Sequence, residues 1–167
     1  MYNNIYMIVA ATEKSRAIGI DGQMLYHLPE ELKYFKETTD GHTIVCGRRT
    51  YHTFNKKPLP NRKNIVLTRS NEKFENAYTM NSKEEVLDYA ENHPEELIFI
   101  AGGDNVYSQF INHAKRLYVT EIEENFPAIA DSFFPRFDPD DYTVISESDT
   151  YKNEDNISYK YVVYEKK

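Results

Sequence analysis

Apolar runs of strand length alternate with stretches of helical period along most of this chain. "IYMIVAA" (Ile5–Ala11) reads as a buried strand, followed by a polar, glycine-bearing loop from Thr12 to Gln23. Pro29 opens a helix, since its missing N–H costs nothing in a first turn, and Leu28, Leu32 and Phe35 form the apolar stripe. "HTIVCG" (His42–Gly47) and "KNIVLT" (Lys63–Thr68) predict short strands, with a helix beginning in "RRTYHTF" (Arg48–Phe54) between them. Ser82 and Glu85 form a capping-box start for a helix over Ser82–His93, with its stripe in Val86, Leu87, Tyr89 and Ala90. "ELIFIAGG" (Glu96–Gly103) is a further strand, "DNVYSQFINHA" (Asp104–Ala114) a helix and "RLYVTEIE" (Arg116–Glu123) a strand. In the tail, Tyr142–Tyr151 and Ile157–Glu165 alternate with period two around "KNEDN", which predicts a hairpin.

Strands alternating with helices predict an α/β fold: a mainly parallel central β-sheet, helices on both faces, and the C-terminal antiparallel hairpin at the edge. No repeat or linker divides the chain, so residues 1–167 are expected to form a single domain, long enough to close a core without staples. Ligands of such sheets bind beyond the carboxyl ends of the strands, which directs attention to the strand-to-helix junctions.

Charge and composition narrow the partners. Twenty basic against 27 acidic residues leave a net charge of −7, which argues against nucleic acid. The 14 tyrosines and nine phenylalanines are assigned to core and sheet surface, because a base-stacking platform needs interleaved cations. Cys46 is the only cysteine, which excludes an internal disulfide and suits a reducing compartment. No apolar run approaches the roughly 20 residues of a membrane span. The expectation is a cytoplasmic protein without membrane contact. Asn156-Ile157-Ser158 matches a glycosylation acceptor but reads as a turn entering a strand.

Within "MLYHLPEELKYF" (Met24–Phe35), Glu30 falls opposite the apolar stripe, whereas Glu31 lies roughly 70° from its centre, at the apolar edge. Two readings stay open for Glu31: a boundary residue that bends toward water, or a carboxylate held against apolar walls with a raised pKa. Three junctions favour anions. In "CGRRT", Gly47 precedes Arg48, Arg49 and Thr50 at a helix start; "VLTRS" gathers Thr68, Arg69 and Ser70; "AGGDN" brings Gly102 and Gly103 to the start of another helix. Three such junctions in a small domain suggest a ligand with several phosphates, such as a dinucleotide. HExxH, CxxC and GxSxG motifs are absent and the five histidines lack metal spacing, so no metal is expected. Proton transfer beside a phosphate-bearing cofactor remains, and hydride transfer fits that pair.

In order, "IVAAT", "AIGIDGQML", "HLPEELKYFKETT", "GRRTY", "PLPNRKNIVLTRS", "AGGDNVYSQF", "LYVTEI" and "DSFFP" resemble the bacterial-type dihydrofolate reductases over nearly the whole chain. The resemblance implies reduction of 7,8-dihydrofolate to tetrahydrofolate with NADPH as cofactor, in support of one-carbon metabolism. It also implies binding of antifolate inhibitors, and a monomer. Glu31 matches the family's active-site carboxylate, which binds the pterin amino group and ring nitrogen and helps N5 gain its proton. Thr120 matches that carboxylate's threonine partner. Val9, Ala11, Leu32, Phe35, Phe54, Leu59, Ala101 and Tyr107 match positions around the substrate, and Arg62 the arginine that grips the glutamyl α-carboxylate. On the cofactor side, Ala11, Ile18, Gly19 and Ile20 match the segment flanking the nicotinamide. Gly47, Arg48, Arg49 and Thr50 match the phosphate-binding helix start, and Leu67, Thr68 and Arg69 the pocket for the 2′-phosphate. Gly102 and Gly103 match a glycine pair joined by a cis peptide, with Asp104, Asn105, Val106, Tyr107 and Gln109 on the helix that follows.

Four residues depart from the usual pattern. Tyr26 stands at a catalytic position where tryptophan is usual and binds a water, Leu25 where proline is common, and Ala101 where a larger aliphatic is frequent. Asp104 brings a carboxylate toward the diphosphate, either as a cap for its helix or as a cost to cofactor binding. With the longer arm of Glu31, the first three imply reduced sensitivity to diaminopyrimidine antifolates. Rival readings are a pyrimidine reductase of the same fold, a non-catalytic nucleotide-binding module and a single-strand nucleic-acid binder. Glu31 and Arg62 argue against the first two, and net charge against the third.

Overall fold

A computed structural model describes residues 2–26, 28–124 and 129–167; His27, part of one quoted motif, lies outside them. The strands are β1 (Ile5–Thr12), β2 (Ala17–Ile20), β3 (Gln23–Met24), β4 (Thr43–Gly47), β5 (Lys63–Leu67), β6 (Tyr78–Met80), β7 (Ile98–Ile100), β8 (Arg116–Ile122), β9 (Ser132–Phe133), β10 (Tyr142–Glu147), β11 (Tyr151–Lys152) and β12 (Ser158–Lys166). The α-helices are α1 (Pro29–Thr39), α2 (Arg48–Thr53), α3 (Lys83–Asn92) and α4 (Asp104–Phe110).

The main sheet runs β10-β12-β8-β1-β7-β4-β5-β6. From β8 through β6 all neighbours are parallel, whereas β12 pairs antiparallel with both β8 and β10. Successive side chains of a strand face opposite sides, so the inner strands carry apolar residues at nearly every position. Met7, Val45, Ile65, Ile98 and Ile100 pack on one side with Val86, Leu87 and Ala90 of α3 and Val106 and Phe110 of α4. Ile8, Ile44 and Phe99 face the other way, toward Phe35 of α1. Cys46 and Val66 meet Tyr51 of α2. The expected α/β architecture with helices on both faces is therefore present.

Ser82 caps α3 by accepting from the Glu85 N–H at 3.2 Å. The hairpin also forms: β11 pairs with the start of β12 while β10 pairs with its remainder. Between them, the Asn153 side chain accepts from the N–H groups of Asp155 and Ile157 at 3.0 and 2.9 Å, and Asn156 takes φ 60°, so the sequon is a turn entering β12.

Two expectations need correction, and one strand went unread. The segment from Thr12 to Gln23 is not all loop: β2 pairs with β3 and β9 in a small second sheet, and Asp131 ties it down by accepting from the Asp21 N–H at 3.1 Å. β6 was not expected from "NAYTM", because three residues hold strand geometry only by pairing with β5. Leu32, placed on the buried stripe, is 47% exposed. Glu31 and Thr39 are the buried residues of α1, with Leu28 buried at its N-cap and Phe35 half-buried. With Tyr34 and Thr38 also half-buried, helical geometry puts Glu31 within about 20° of the middle of the covered face.

Candidate active site

The site begins at the start of α1. Pro29 and two acids form its first turn, and Leu28 at the N-cap packs with Ile122 and Tyr159, with Ala10 and Tyr26 half-buried beside them. That anchorage rotates Glu31 inward, where it is 4% exposed. Burial pushes its carboxyl up from the ordinary 4.5 to about 7, and the Thr120 hydroxyl offsets part of the rise. The two groups face one another outside ordinary hydrogen-bond geometry, and the buried Thr120 Oγ1 has no partner among the described residues. Thr120 sits on β8 between Ala10 of β1 and Tyr161 of β12. Tyr161 stacks on Tyr34 of α1 at 4.0 Å. Of the two readings of Glu31, the fold realises the buried one: a carboxyl held against apolar walls with its pKa raised to about 7.

Below the carboxyl, the half-buried Phe35, Leu59 and Ala101 share one apolar cluster with Ile8, Ile44 and Phe99. Val9 and Ala11 of β1 are buried at 5% and 3%. Arg62 lies at the other end of α1. Its Nε donates to the Pro60 carbonyl at 2.9 Å and one Nη to Thr39 Oγ1 at 3.1 Å, and its guanidinium stands 5.9 Å from the Phe35 ring centre. These contacts aim a fork whose remaining donors suit a carboxylate. Asn64, unnoticed in the sequence, organises this corner: its side chain accepts from the Leu59 N–H and donates to the carbonyls of Leu59 and Arg62. Leu32 is exposed on α1, and the half-buried Phe54 packs with Tyr51, Cys46 and Val66.

Eight of the cofactor-side residues line a cleft of about 690 Å³, to which Glu31 does not contribute. They are Arg48, Arg49, Leu67, Thr68, Arg69, Asn105, Val106 and Gln109. Ser70, Asn81, Ser82, Lys83 and Glu84 also line it. Reading β6 as a strand would have exposed "MNSK" as a fourth strand-to-helix junction. Glycines let two helix starts converge above the cleft. Gly47 donates its N–H to the Gly102 carbonyl at 2.8 Å, and a Cβ on Gly47 would stand 3.2 Å from Val106. Gly102 takes φ +114°, a region closed to other residues at low cost, and a Cβ there would meet the Tyr107 hydroxyl at 3.3 Å. The Gly102-Gly103 peptide is cis.

Tyr107 donates its hydroxyl to the Ile8 carbonyl at 2.8 Å, and burial, with Glu31 adding to it, keeps the phenol protonated. Asp104 is exposed in the first turn of α4, whose N-cap is Gly103, and its carboxylate accepts from the Asn105 N–H at 2.7 Å. Asn105 accepts in turn from Gln109. Thr50 lies beside Gly103. Ile18 packs half-buried on the main core, and Gly19 and Ile20 complete β2. No cluster of three or more metal-ligating side chains occurs among the described residues.

A profile of the family "Dihydrofolate reductase" matches residues 4–166. The chain is 38% identical over 161 residues to dihydrofolate reductase of Bacillus subtilis, covering 95% of this chain and 93% of that one. It is 36% identical over 170 residues to dihydrofolate reductase HdrB of Haloferax volcanii, covering 97% and 84%. The solved dihydrofolate reductase of Enterococcus faecalis, complexed with NADP(H) and RAB-propyl, superposes with a TM-score of 0.84 at 34% identity, covering 99% of both chains. A parallel sheet with a buried acid at one helix start and cationic junctions at others is thus the framework of an oxidoreductase. The chain belongs to the dihydrofolate reductase family.

Proposed function

We propose that this chain reduces 7,8-dihydrofolate to 5,6,7,8-tetrahydrofolate with NADPH, with hydride transfer to C6 and protonation at N5. The observation that carries this reading is Glu31, buried beside Thr120 with its carboxyl near pKa 7. The cofactor fits the donor set: arginines and hydroxyls line the cleft, and Gly47, Gly102 and Gly103 let two helix starts pack closely beside it. When bound, NADPH supplies the hydride.

The chain's own residues do the rest. Glu31 hydrogen-bonds the pterin amino group and ring nitrogen and holds the proton destined for N5. Thr120 orients that carboxyl, and Tyr26 holds a water near the pterin. Phe35, Leu59 and Ala101 wall the rings. Arg62 grips the glutamyl α-carboxylate with a planar fork that lysine cannot reproduce. Arg48, Arg49 and Thr50 bind phosphate, and Thr68 and Arg69 receive the 2′-phosphate. The E. faecalis relative's complex with NADP(H) supports the choice of cofactor. We place the protein in the cytosol as a single-domain monomer with small-molecule partners, in keeping with a net charge of −7 and with no described helix long and apolar enough to cross a membrane.

The direct test mixes purified protein, NADPH and dihydrofolate and follows loss of the reduced-nicotinamide absorbance. Rapid oxidation that requires both reactants is expected. A folded chain that binds NADPH yet leaves dihydrofolate unreduced would favour a pyrimidine reductase instead. Diaminopyrimidine inhibitors are expected to act more weakly here than on a relative with aspartate and tryptophan at the positions of Glu31 and Tyr26. Inhibition of both enzymes at equal concentrations would refute that expectation.

A further inference from the structure

We propose that Glu72 sets how strongly the cleft discriminates between dinucleotides with and without a ribose 2′-phosphate, because its carboxylate already holds Arg48. The inference rests on the reading of Thr68 and Arg69 as the 2′-phosphate pocket; Glu72 is tied to both Ser70 and Arg48, which draws the Arg48 guanidinium to that pocket rather than to the phosphate site of Arg49 and Thr50.

Glu72 lies on the chain after β5, and its backbone is bound into the predicted phosphate turn. Its N–H donates to Ser70 Oγ at 3.3 Å, Ser70 Oγ lies 3.0 Å from Thr68 Oγ1, and the Ser70 N–H donates to Thr68 Oγ1 at 3.1 Å. The Glu72 backbone is therefore tied to that turn, and its carboxylate reaches Arg48, which lines the cleft. One oxygen stands 3.5 Å from Arg48 Nη1 and the other 2.9 Å from His52 Nε2. Arg48 and His52 are four residues apart on α2, so they share a helix face, and Glu72 bridges both. His52 is itself held in place, with its ring 5.6 Å from that of Phe74 and 6.5 Å from that of Tyr51.

Glu72 thus occupies the position of an internal anion. A phosphate on Thr68, Arg69 and Ser70 must share the Arg48 guanidinium with a fixed negative charge, and it meets like charge as it arrives. A dinucleotide lacking the 2′-phosphate brings nothing to that corner. The side chains of Arg48 and Glu72 are 44% and 35% exposed. Water screens such a pair, so it contributes little to folding and its removal changes cofactor affinity without unfolding the chain.

The experiment is calorimetric titration of the parent, Glu72→Gln and Glu72→Ala with NADPH and with NADH. At low ionic strength both variants are expected to bind NADPH about five- to tenfold more tightly, with NADH unchanged within about twofold. The gain should shrink at high salt as the charges are screened. A parent that prefers NADPH, with variants that bind it equally or more weakly, would overturn the inference and leave the proposed function standing. Equal tightening toward both dinucleotides would also overturn it, by showing a general charge effect. A parent that binds NADPH no better than NADH would overturn the assignment of the 2′-phosphate pocket and this inference with it.

Discussion

Turnover of dihydrofolate falls by about 10²–10⁴-fold at neutral pH when Glu31 is replaced by glutamine, the range expected for losing a positioned proton donor. Glutamine keeps the shape and the burial but cannot release a proton. The apolar packing around Leu28, Ile122 and Tyr159 is untouched, so the variant folds. Turnover of the parent should decline as pH rises through about 7, where Glu31 loses its proton. The variant should lack that inflection and recover part of its rate in acid, where solvent protonates the substrate. Stopped-flow and steady-state rates across pH check both points. A variant with near-parental turnover at neutral pH would return Glu31 to a structural role.

The same substitution should stabilise the ligand-free protein. The folded-state pKa of Glu31 is raised from 4.5 to about 7. Between those values the folded chain holds a proton that the unfolded chain has released. Stability therefore falls as pH rises through that window and is level above it. The shift corresponds to about 3 kcal/mol lost by pH 8. Glutamine is neutral throughout and escapes this loss. Urea unfolding should show Glu31→Gln more stable than the parent by about 2–3 kcal/mol at pH 8, and nearly equal to it at pH 4.5. Equal stability at pH 8 would mean that the carboxyl is not desolvated as its burial implies. A group kept at such a cost to folding is a mark of function.

Much of this architecture is written in short-range pattern. Strand-length runs at β1, β4, β5, β7 and β8 are apolar enough to be buried on both faces, and they appear where expected. Ser82 with Glu85, and Asn153 with Asn156, announce a helix start and a turn through contacts spanning a few residues. The residues that line the cleft were legible for a related reason. Arginines, hydroxyls and glycines at strand ends advertise their chemistry wherever the strands are placed in parallel order.

Other features depend on contacts between distant segments. β2, β3 and β6 are too short to hold themselves and exist through partners far along the chain or across the sheet edge. The helical wheel centred the stripe of α1 on its leucines. Packing against β1, β8 and β12 turned the helix so that Leu32 faces out and Glu31 faces in. No periodicity reveals that Asn64 braces the Arg62 corner or that Glu72 lies on Arg48. Residue order dictates which side chains are available and which elements form, because hydrophobic period and capping act locally. Desolvation and charge pairing act through space, so the near-neutral carboxyl of Glu31 and the competition at Arg48 arise only once the sheet has brought separate segments together.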